Sequence, residues 1–270
     1  MILVDGKPTD CVSALDRGLA YGDGVFRTLV LRAGKAVAWS LHYATLTADC
    51  ARLNLWCPAE QMLCADLAQI AAQASDCVVK IIVTRGVGQR GYTPPVNPVG
   101  VRIVSSSALP TYPQAYHDDG IVARVCDLRL ARQPALAGIK HLNRLENVLA
   151  RSEWQDADIA EGILLDTQDQ VIGGCMSNLF IRQGNTLLTP ALTHSGIAGV
   201  TRARLLALAP QLNLRVQVRA LTLPTLLAAD EVMLCNSVIG VWRVRQLGDT
   251  HWTGTQHTPA LRTLLEQNID

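Results

Sequence analysis

The sequence predicts an α+β protein in two domains. Three observations lead there. Strand-like and helix-like stretches alternate without the regular βαβ rhythm of a doubly wound sheet. The β-branched run Val78-Val79-Lys80-Ile81-Ile82-Val83 has the composition of a central strand. Between Ser105 and Asp119 the composition shifts to serines, Pro110, Pro113 and two tyrosines with little periodicity, which reads as a linker. These features divide the chain into an N-terminal α+β domain (1–107), a linker (108–118) and a C-terminal α/β domain (119–270). At 270 residues, 49% of them hydrophobic, the chain can bury a sizeable core.

In order, Ile2-Leu3-Val4 is a short strand closed by the Asp5-Gly6 turn. Val25 to Leu31 is a second strand, and Arg32-Ala33-Gly34-Lys35 turns it into a third around Val37-Ala38. Leu41 to Leu53 has helical spacing through Leu46, Cys50 and Leu53. Pro58 suits the first turn of a helix running to about Ala74. After Val78–Val83 comes another strand, Val99 to Val104. Beyond the linker the expected strands are Ile121–Val125, Gly162–Asp166 paired with Gln170–Ile172, Leu179–Arg182 paired with Thr186–Thr189, Leu214–Val218 and Glu231–Leu234. Helices are expected over Thr201–Ala209 and from about Pro259.

The formal charge of +1 gives no electrostatic footprint for nucleic acid or an anionic membrane. No apolar run is long enough to span a bilayer, and the N-terminus lacks the pattern of a signal peptide. The eight cysteines are scattered without a Cys-x-x-Cys pair, as expected of reduced thiols in a cytoplasmic protein. The six histidines show no metal spacing, so no metal site is expected.

Two patterns bear on chemistry. Gly86-x-Gly88-x-x-Gly91 follows a strand, as a dinucleotide fingerprint would, but Tyr92-Thr93-Pro94-Pro95 cannot open the helix on which a pyrophosphate sits. In the stretch Gly138-Ile139-Lys140-His141, Lys140 has small or apolar neighbours on one side. The helical spacing of Leu142, Leu145, Val148 and Leu149 then predicts a helix with one buried face beginning just after it. A partly desolvated lysine releases its proton more readily and becomes the nucleophilic amine that a Schiff base requires. Most lysines are solvated charges, so on this pattern alone a surface lysine is the commoner reading.

Six stretches, in order, resemble the 4-amino-4-deoxychorismate lyases, a family of fold-type IV enzymes dependent on pyridoxal 5'-phosphate (PLP). They are Asp16-Arg17-Gly18 with Gly22-Asp23-Gly24-Val25-Phe26-Arg27-Thr28, Arg85-Gly86-Val87-Gly88-Gln89-Arg90-Gly91-Tyr92, the Lys140 segment through Arg144, Ser177-Asn178-Leu179-Phe180, Gly199-Val200-Thr201-Arg202, and Asn236-Ser237. The resemblance implies a fold like that of the D-amino acid aminotransferases, a homodimer, and PLP carried on Lys140 of the C-terminal domain. It implies that Lys140 and Thr28 are catalytic and that Lys140, Val200, Thr201, Asn236, Ser237 and Thr45 surround the cofactor. It places Arg85, Arg90, Tyr92 and Asn143 about a small, doubly carboxylated substrate. The implied reaction converts 4-amino-4-deoxychorismate to 4-aminobenzoate and pyruvate. An aminotransferase of branched-chain or D-amino acids, or a PLP-free homologue with a binding role, is the alternative. Two positions depart from the family: Thr45 stands where an arginine clasps the phosphate, and Gly173 where a glutamate faces the pyridine nitrogen.

Overall fold

A computed structural model describes residues 1–254 and 256–268. Its described residues divide into two compact units, one of Met1–Pro110 with Lys140–Asn143, the other of Thr111–Ile139 with the described residues from 144 to 268. Lys140 thus groups with the N-terminal residues, where the sequence had suggested the C-terminal domain.

In the first unit the elements are β1 (Ile2–Val4), β2 (Lys7–Pro8), α1 (Arg17–Tyr21), β3 (Gly24–Arg32), β4 (Lys35–Ala36), α2 (Trp39–Arg52), α3 (Glu60–Ala71), β5 (Cys77–Thr84) and β6 (Val101–Ser107). The strands form one antiparallel sheet in the order β2-β1-β6-β5-β3-β4. β3 and β5 pair along their whole length, from Gly24 opposite Thr84 to Leu31 opposite Cys77. Val79, Ile81 and Val83 of β5 are buried, and the intervening Lys80 is exposed. That alternation is the period of a strand with one face on the core. α2 lies on β3 through His42, Leu46, Asp49 and Cys50, the one-sided stripe of a helix.

The second unit contains α4 (Ala115–Asp118), β7 (Ile121–Leu130), α5 (Leu145–Arg151), β8 (Ile159–Asp166), β9 (Val171–Gly174), β10 (Asn178–Gln183), β11 (Thr186–Pro190), α6 (Val200–Leu208), β12 (Arg215–Arg219), α7 (Leu223–Leu227), β13 (Glu231–Asn236), β14 (Gly240–Leu247), β15 (Thr250–His251) and α8 (Thr258–Gln267). Its nine-stranded sheet runs β12-β11-β10-β13-β14-β7-β8-β9, with β15 on β14. The β11–β12, β14–β7 and β7–β8 junctions are parallel and the others antiparallel. An antiparallel sheet in one unit and a mixed sheet in the other, each packed with helices, agree with the α+β expectation. One core is built around Trp242 with Ile121, Ile163, Leu179 and Leu234. Another gathers Phe180, Met233, Leu205, Leu261 and Leu265. Among the described residues no helix is long and apolar enough to cross a membrane, and no group of His, Cys, Asp or Glu is placed to hold a metal.

The structure departs from the sequence reading in two places that matter below. Ser105–Ser107 finish β6, and Tyr112 and Tyr116 pack edge-on against Trp242 at 4.8 and 5.2 Å between ring centroids. The stretch that reads as a linker therefore contains the end of β6 and the short helix Ala115–Asp118, its tyrosines are partly buried against a core, and the boundary between the two units falls within it, between Pro110 and Thr111. The helix expected just after Lys140 begins only at Leu145. Its expected buried face is open: Leu145, Val148 and Leu149 are 75%, 57% and 59% exposed, and within α5 only Ala150 is buried. The spacing was helical, but it marks the outer side of the helix.

Replacing Trp242 by alanine is expected to destabilise the protein by about 3–5 kcal/mol, because a large cavity opens and two edge-on ring contacts are lost. Urea unfolding of the variant, with Tyr112→Leu for comparison at about 1–2 kcal/mol, checks this.

Candidate functional site

Lys140 is held by main-chain bonds at the open edge of β3. β4 pairs only with Leu31 and Arg32, so Gly24–Phe26 have a free side. The Phe26 N–H donates to the Lys140 carbonyl at 2.9 Å, the Leu142 N–H donates to the Gly24 carbonyl at 3.0 Å, and Val25 bridges His141. This is an antiparallel ladder one bridge long. Its next rung would direct the Lys140 N–H at the Phe26 carbonyl. Instead that N–H donates to Asp49 Oδ2 of α2 at 3.0 Å. The extended backbone puts the Lys140 side chain on the face of Phe26, and its Nζ lies 4.4 Å from the Phe26 ring centroid. Thr28 shares that face of β3, two residues on. Lys80, opposite Thr28 on β5, brings its Nζ to 5.0 Å from the same ring. Lys140, Thr28, Phe26 and Lys80 therefore share one side of the sheet. Lys80 was not among the residues singled out in the sequence. Its signal was a charged residue in the middle of a β-branched strand.

In the second unit the constellation is the N-terminus of α6. No side chain caps this helix, so its first N–H groups and its dipole favour an anion. The Thr201 and Ser237 hydroxyls lie 3.4 Å apart there. Asn178 sets up the approach: its Nδ2 donates to the Ile197 carbonyl at 2.7 Å, and its Oδ1 accepts the Gly199 N–H at 3.1 Å. A Cβ at 199 would sit 2.2 Å from that oxygen, so the close approach requires glycine. Asn236 accepts the Val238 and Ile239 N–H groups on Oδ1 and donates to the Met176 carbonyl. It shapes the turn that presents Ser237. The uncapped N–H groups and paired hydroxyls fit a phosphate group, and the lysine amine fits a carbonyl carbon. The two ends of the cofactor implied by the sequence thus each have fitting residues.

The remaining candidates divide. Arg85 is 8% exposed and gives its guanidinium to Asp23 Oδ2 at 2.7 Å and to the Asn54 and Leu53 carbonyls at 2.8 and 2.9 Å. It is an anchor inside the unit and not a substrate ligand as expected. Arg90 and Tyr92 are exposed on the loop after β5, Tyr92 to 85%. Arg17 ties that loop down, donating to Asp23 at 2.9 Å and to the Gly91 and Tyr92 carbonyls at 3.0 and 3.1 Å. Asn143 donates to the Gly22 carbonyl at 3.2 Å, a tie within the first unit. Thr45 turns its hydroxyl back to the Leu41 carbonyl at 2.6 Å, so that group is engaged along its own helix.

The sequence pattern described as amino-transferase class IV matches residues 24–247. The chain belongs to the class IV amino-transferase family. An aminodeoxychorismate lyase of Vibrio harveyi is 37% identical over 242 residues, covering 89% of each chain. The crystal structure of 4-amino-4-deoxychorismate lyase from Pseudomonas aeruginosa superposes with a TM-score of 0.95 at 44% identity, covering 100% of both chains. A D-alanine aminotransferase of Listeria monocytogenes is 30% identical over 89% of this chain and 82% of its own.

One residue of this class IV chain escaped the sequence reading altogether. β9, Val171–Gly174, carries no carboxylate, but Glu161 of β8 lies against it. A Cβ on Gly174 would meet Glu161 Oε2 at 2.8 Å. The Glu161 carboxylate accepts the Gly162, Cys175 and Met176 N–H groups at 3.0, 3.1 and 3.2 Å and the Ser177 hydroxyl at 2.8 Å. It shapes the turn leading into Asn178. Burial pushes its carboxyl above the ordinary range, and these bonds oppose the shift. The signal in the sequence was a glutamate directly before the apolar run Gly162-Ile163-Leu164-Leu165.

Burial works to raise the Asp23 carboxyl, but the hydrogen bonds and charges of Arg85 and Arg17 prevail and hold it below its ordinary value. A folded-state value below the unfolded one stabilises the protein above the unfolded value, and the contribution is lost as pH falls through the folded value. Asp23→Asn is therefore expected to lower stability by about 1.5–3 kcal/mol near neutral pH, through weakened charge-assisted bonds. The deficit relative to wild type should shrink below about pH 4, the ordinary carboxylate range. Urea unfolding of both proteins between pH 7 and pH 3 measures it.

Proposed function

We propose that this class IV chain is an aminodeoxychorismate lyase that converts 4-amino-4-deoxychorismate to 4-aminobenzoate and pyruvate with PLP, on the route to folate. The observation that carries the reading is the coverage of the whole chain by lyase relatives at 37% and 44% identity. The clamped Lys140 on a face shared with Thr28 and Lys80 supports it. Lys140 would carry PLP, and the α6 N–H groups around Val200 and Thr201, with the Thr201 and Ser237 hydroxyls, would hold a phosphate group. When bound, PLP supplies an electron sink for the substrate carbon that bears nitrogen.

The chain's own residues then have defined work. The Lys140 amine accepts the proton from the carbon bearing nitrogen. The bond from the adjacent ring carbon to the enolpyruvyl oxygen breaks, the ring becomes aromatic, and protonation of the departing methylene gives pyruvate. Thr28, on the face of Phe26, passes a proton to or from Lys140. Lys80 and Arg90 offer two cations to the two substrate carboxylates, the task that Arg85 cannot take up while it anchors Asp23. Because aromatisation drives the elimination, less charge need reach the pyridine nitrogen, which suits a β9 without a carboxylate.

The enzyme is further proposed to be a homodimer. The motive is the exposed apolar face of α5, where Leu145, Val148 and Leu149 stand at i, i+3 and i+4. The double variant Val148→Asp/Leu149→Asp is expected to sediment as a monomer at micromolar concentration where the wild type is a dimer. A wild type that sediments as a monomer with full activity rejects the dimer.

The direct test supplies chorismate, glutamine and an aminodeoxychorismate-forming enzyme and measures pyruvate and 4-aminobenzoate together. Equal amounts of both are expected. Glutamate formed faster from D-alanine or L-leucine with 2-oxoglutarate would make the chain an aminotransferase instead. Lys140→Ala should lose at least about 10³-fold in rate, the scale of a proton-transfer group. It should also lose the borohydride-trapped PLP adduct. Arg90→Gln should raise KM about tenfold or more through a lost charge-assisted bond.

A further inference from the structure

Asp49 lies on α2, 4% exposed, and its Oδ2 serves two donors, the Arg27 guanidinium and the Lys140 main-chain N–H. Arg27 is 2% exposed on the α2 side of β3, and its Nη2 also donates to the Thr45 carbonyl at 3.1 Å. Its Nε is buried without an acceptor. A buried ion pair with one unmet donor is a poor way to gain stability, since desolvation offsets most of the attraction. What the pair does obtain is contact with the Lys140 main-chain N–H, the one main-chain tie of that residue made to a side chain.

We propose that the Arg27–Asp49 pair is the positioning element of Lys140: Asp49 fixes the lysine's main chain, and the two opposite charges set the proton affinity of its amine. The proposal rests on Lys140 being the reactive amine. Other charged or titratable groups face the same region. Lys80 of β5 shares the Phe26 ring, Arg52 and Cys50 of α2 act electrostatically on Asp49 and Arg27 respectively, and His42 is buried on α2. His141 follows Lys140 in the chain. Burial pushes the Asp49 carboxyl up, and the Arg27 charge, the Lys140 N–H and the charges of Arg52 and Lys140 oppose it. Burial likewise lowers Arg27, and Asp49 opposes it. Two effects on the lysine follow with opposite signs. Removing the aspartate charge leaves an unbalanced guanidinium that disfavours a protonated amine. Removing the arginine charge leaves an unbalanced carboxylate that favours one.

The experiment uses the full-length, PLP-free protein. Amines are labelled with trace acetic anhydride between pH 7 and 11, and the Lys140 peptide is quantified by mass spectrometry, with the Lys80 peptide as reference. Asp49→Asn is expected to lower the Lys140 midpoint and Arg27→Met to raise it. Each shift should be about one pH unit, the scale of a single charge acting through a partly shielded site. The double variant should return close to wild type. Main-chain hydrogen exchange reads the positioning half: the Lys140 amide should exchange more than tenfold faster in Asp49→Ala than in wild type, and be largely restored in Asp49→Asn, which keeps an acceptor. In PLP-loaded enzyme the pH profile of kcat should move in the same two directions. Midpoints that move the same way in both single variants, or that stay in place, overturn the charge-setting role, and an unchanged amide in Asp49→Ala overturns the positioning role. If unpaired charge unfolds one single variant, the other decides, because each sign is specified. Midpoints that move as stated in a lysine that borohydride does not trap with PLP leave the pair's effect standing and reject Lys140 as the reactive amine.

Discussion

The placement of Lys140 depends on a vacancy at the edge of a sheet. β4 covers only the far end of β3, and the near end takes the Lys140–Leu142 backbone as a short extra strand. Backbone polar groups must find partners, and an open edge offers a row of them at fixed spacing. Two hydrogen bonds therefore fix the rotation of the segment about its own axis, and with it the face on which the lysine side chain emerges. That face is the one carrying Phe26 and Thr28. The sheet's pleat sets the lysine's surroundings more firmly than a helix beginning at residue 141 would have done.

A second constraint of the same kind operates around α6. Asn178 occupies the Gly199 N–H and the Ile197 carbonyl, so the loop before the helix has one conformation. The helix then presents its first N–H groups without a side-chain cap, and Asn236 holds the turn that brings the Ser237 hydroxyl to Thr201. Half-buried side-chain amides here take the orienting role, fixing the start of α6 and the turn that carries Ser237. Glu161 extends the pattern one layer back, holding the turn that leads into Asn178.

The parts of this arrangement that were legible in the sequence are those encoded in short contiguous patterns. The long strands of the first sheet, the start of α6 and the glycine-rich loop could be placed from periodicity and turn chemistry, whereas the two-residue β2 was not foreseen and β4 lies at Lys35–Ala36 rather than around Val37-Ala38. What the sequence concealed depends on residues far apart in the chain. Leu145, Val148 and Leu149 have the spacing of a buried helical face, but spacing does not say which side of a helix meets protein. Arg85 and Arg90 look equivalent in one loop, and only the fold reveals that Asp23 and two carbonyls claim the first. Thr45 was noticed for what it lacks, whereas its contribution is a carbonyl that receives Arg27.

That last contact changes the meaning of the missing arginine. Position 45 does have a guanidinium beside it, supplied by β3 in place of α2. The guanidinium is buried and balanced by Asp49, so it is a fixed internal charge and no solvent-facing clasp. Under the proposed cofactor placement, recognition of a phosphate falls to neutral donors at α6 and to the helix dipole. Neutral hydrogen bonds contribute about half as much as charge-assisted ones. On the proposed reading, the charge that a phosphate clasp would supply is instead placed beside the lysine, through the Arg27–Asp49 pair. A lyase whose driving force is aromatisation of its own substrate can accept that exchange, because the step it most needs to control is the proton held by one amine.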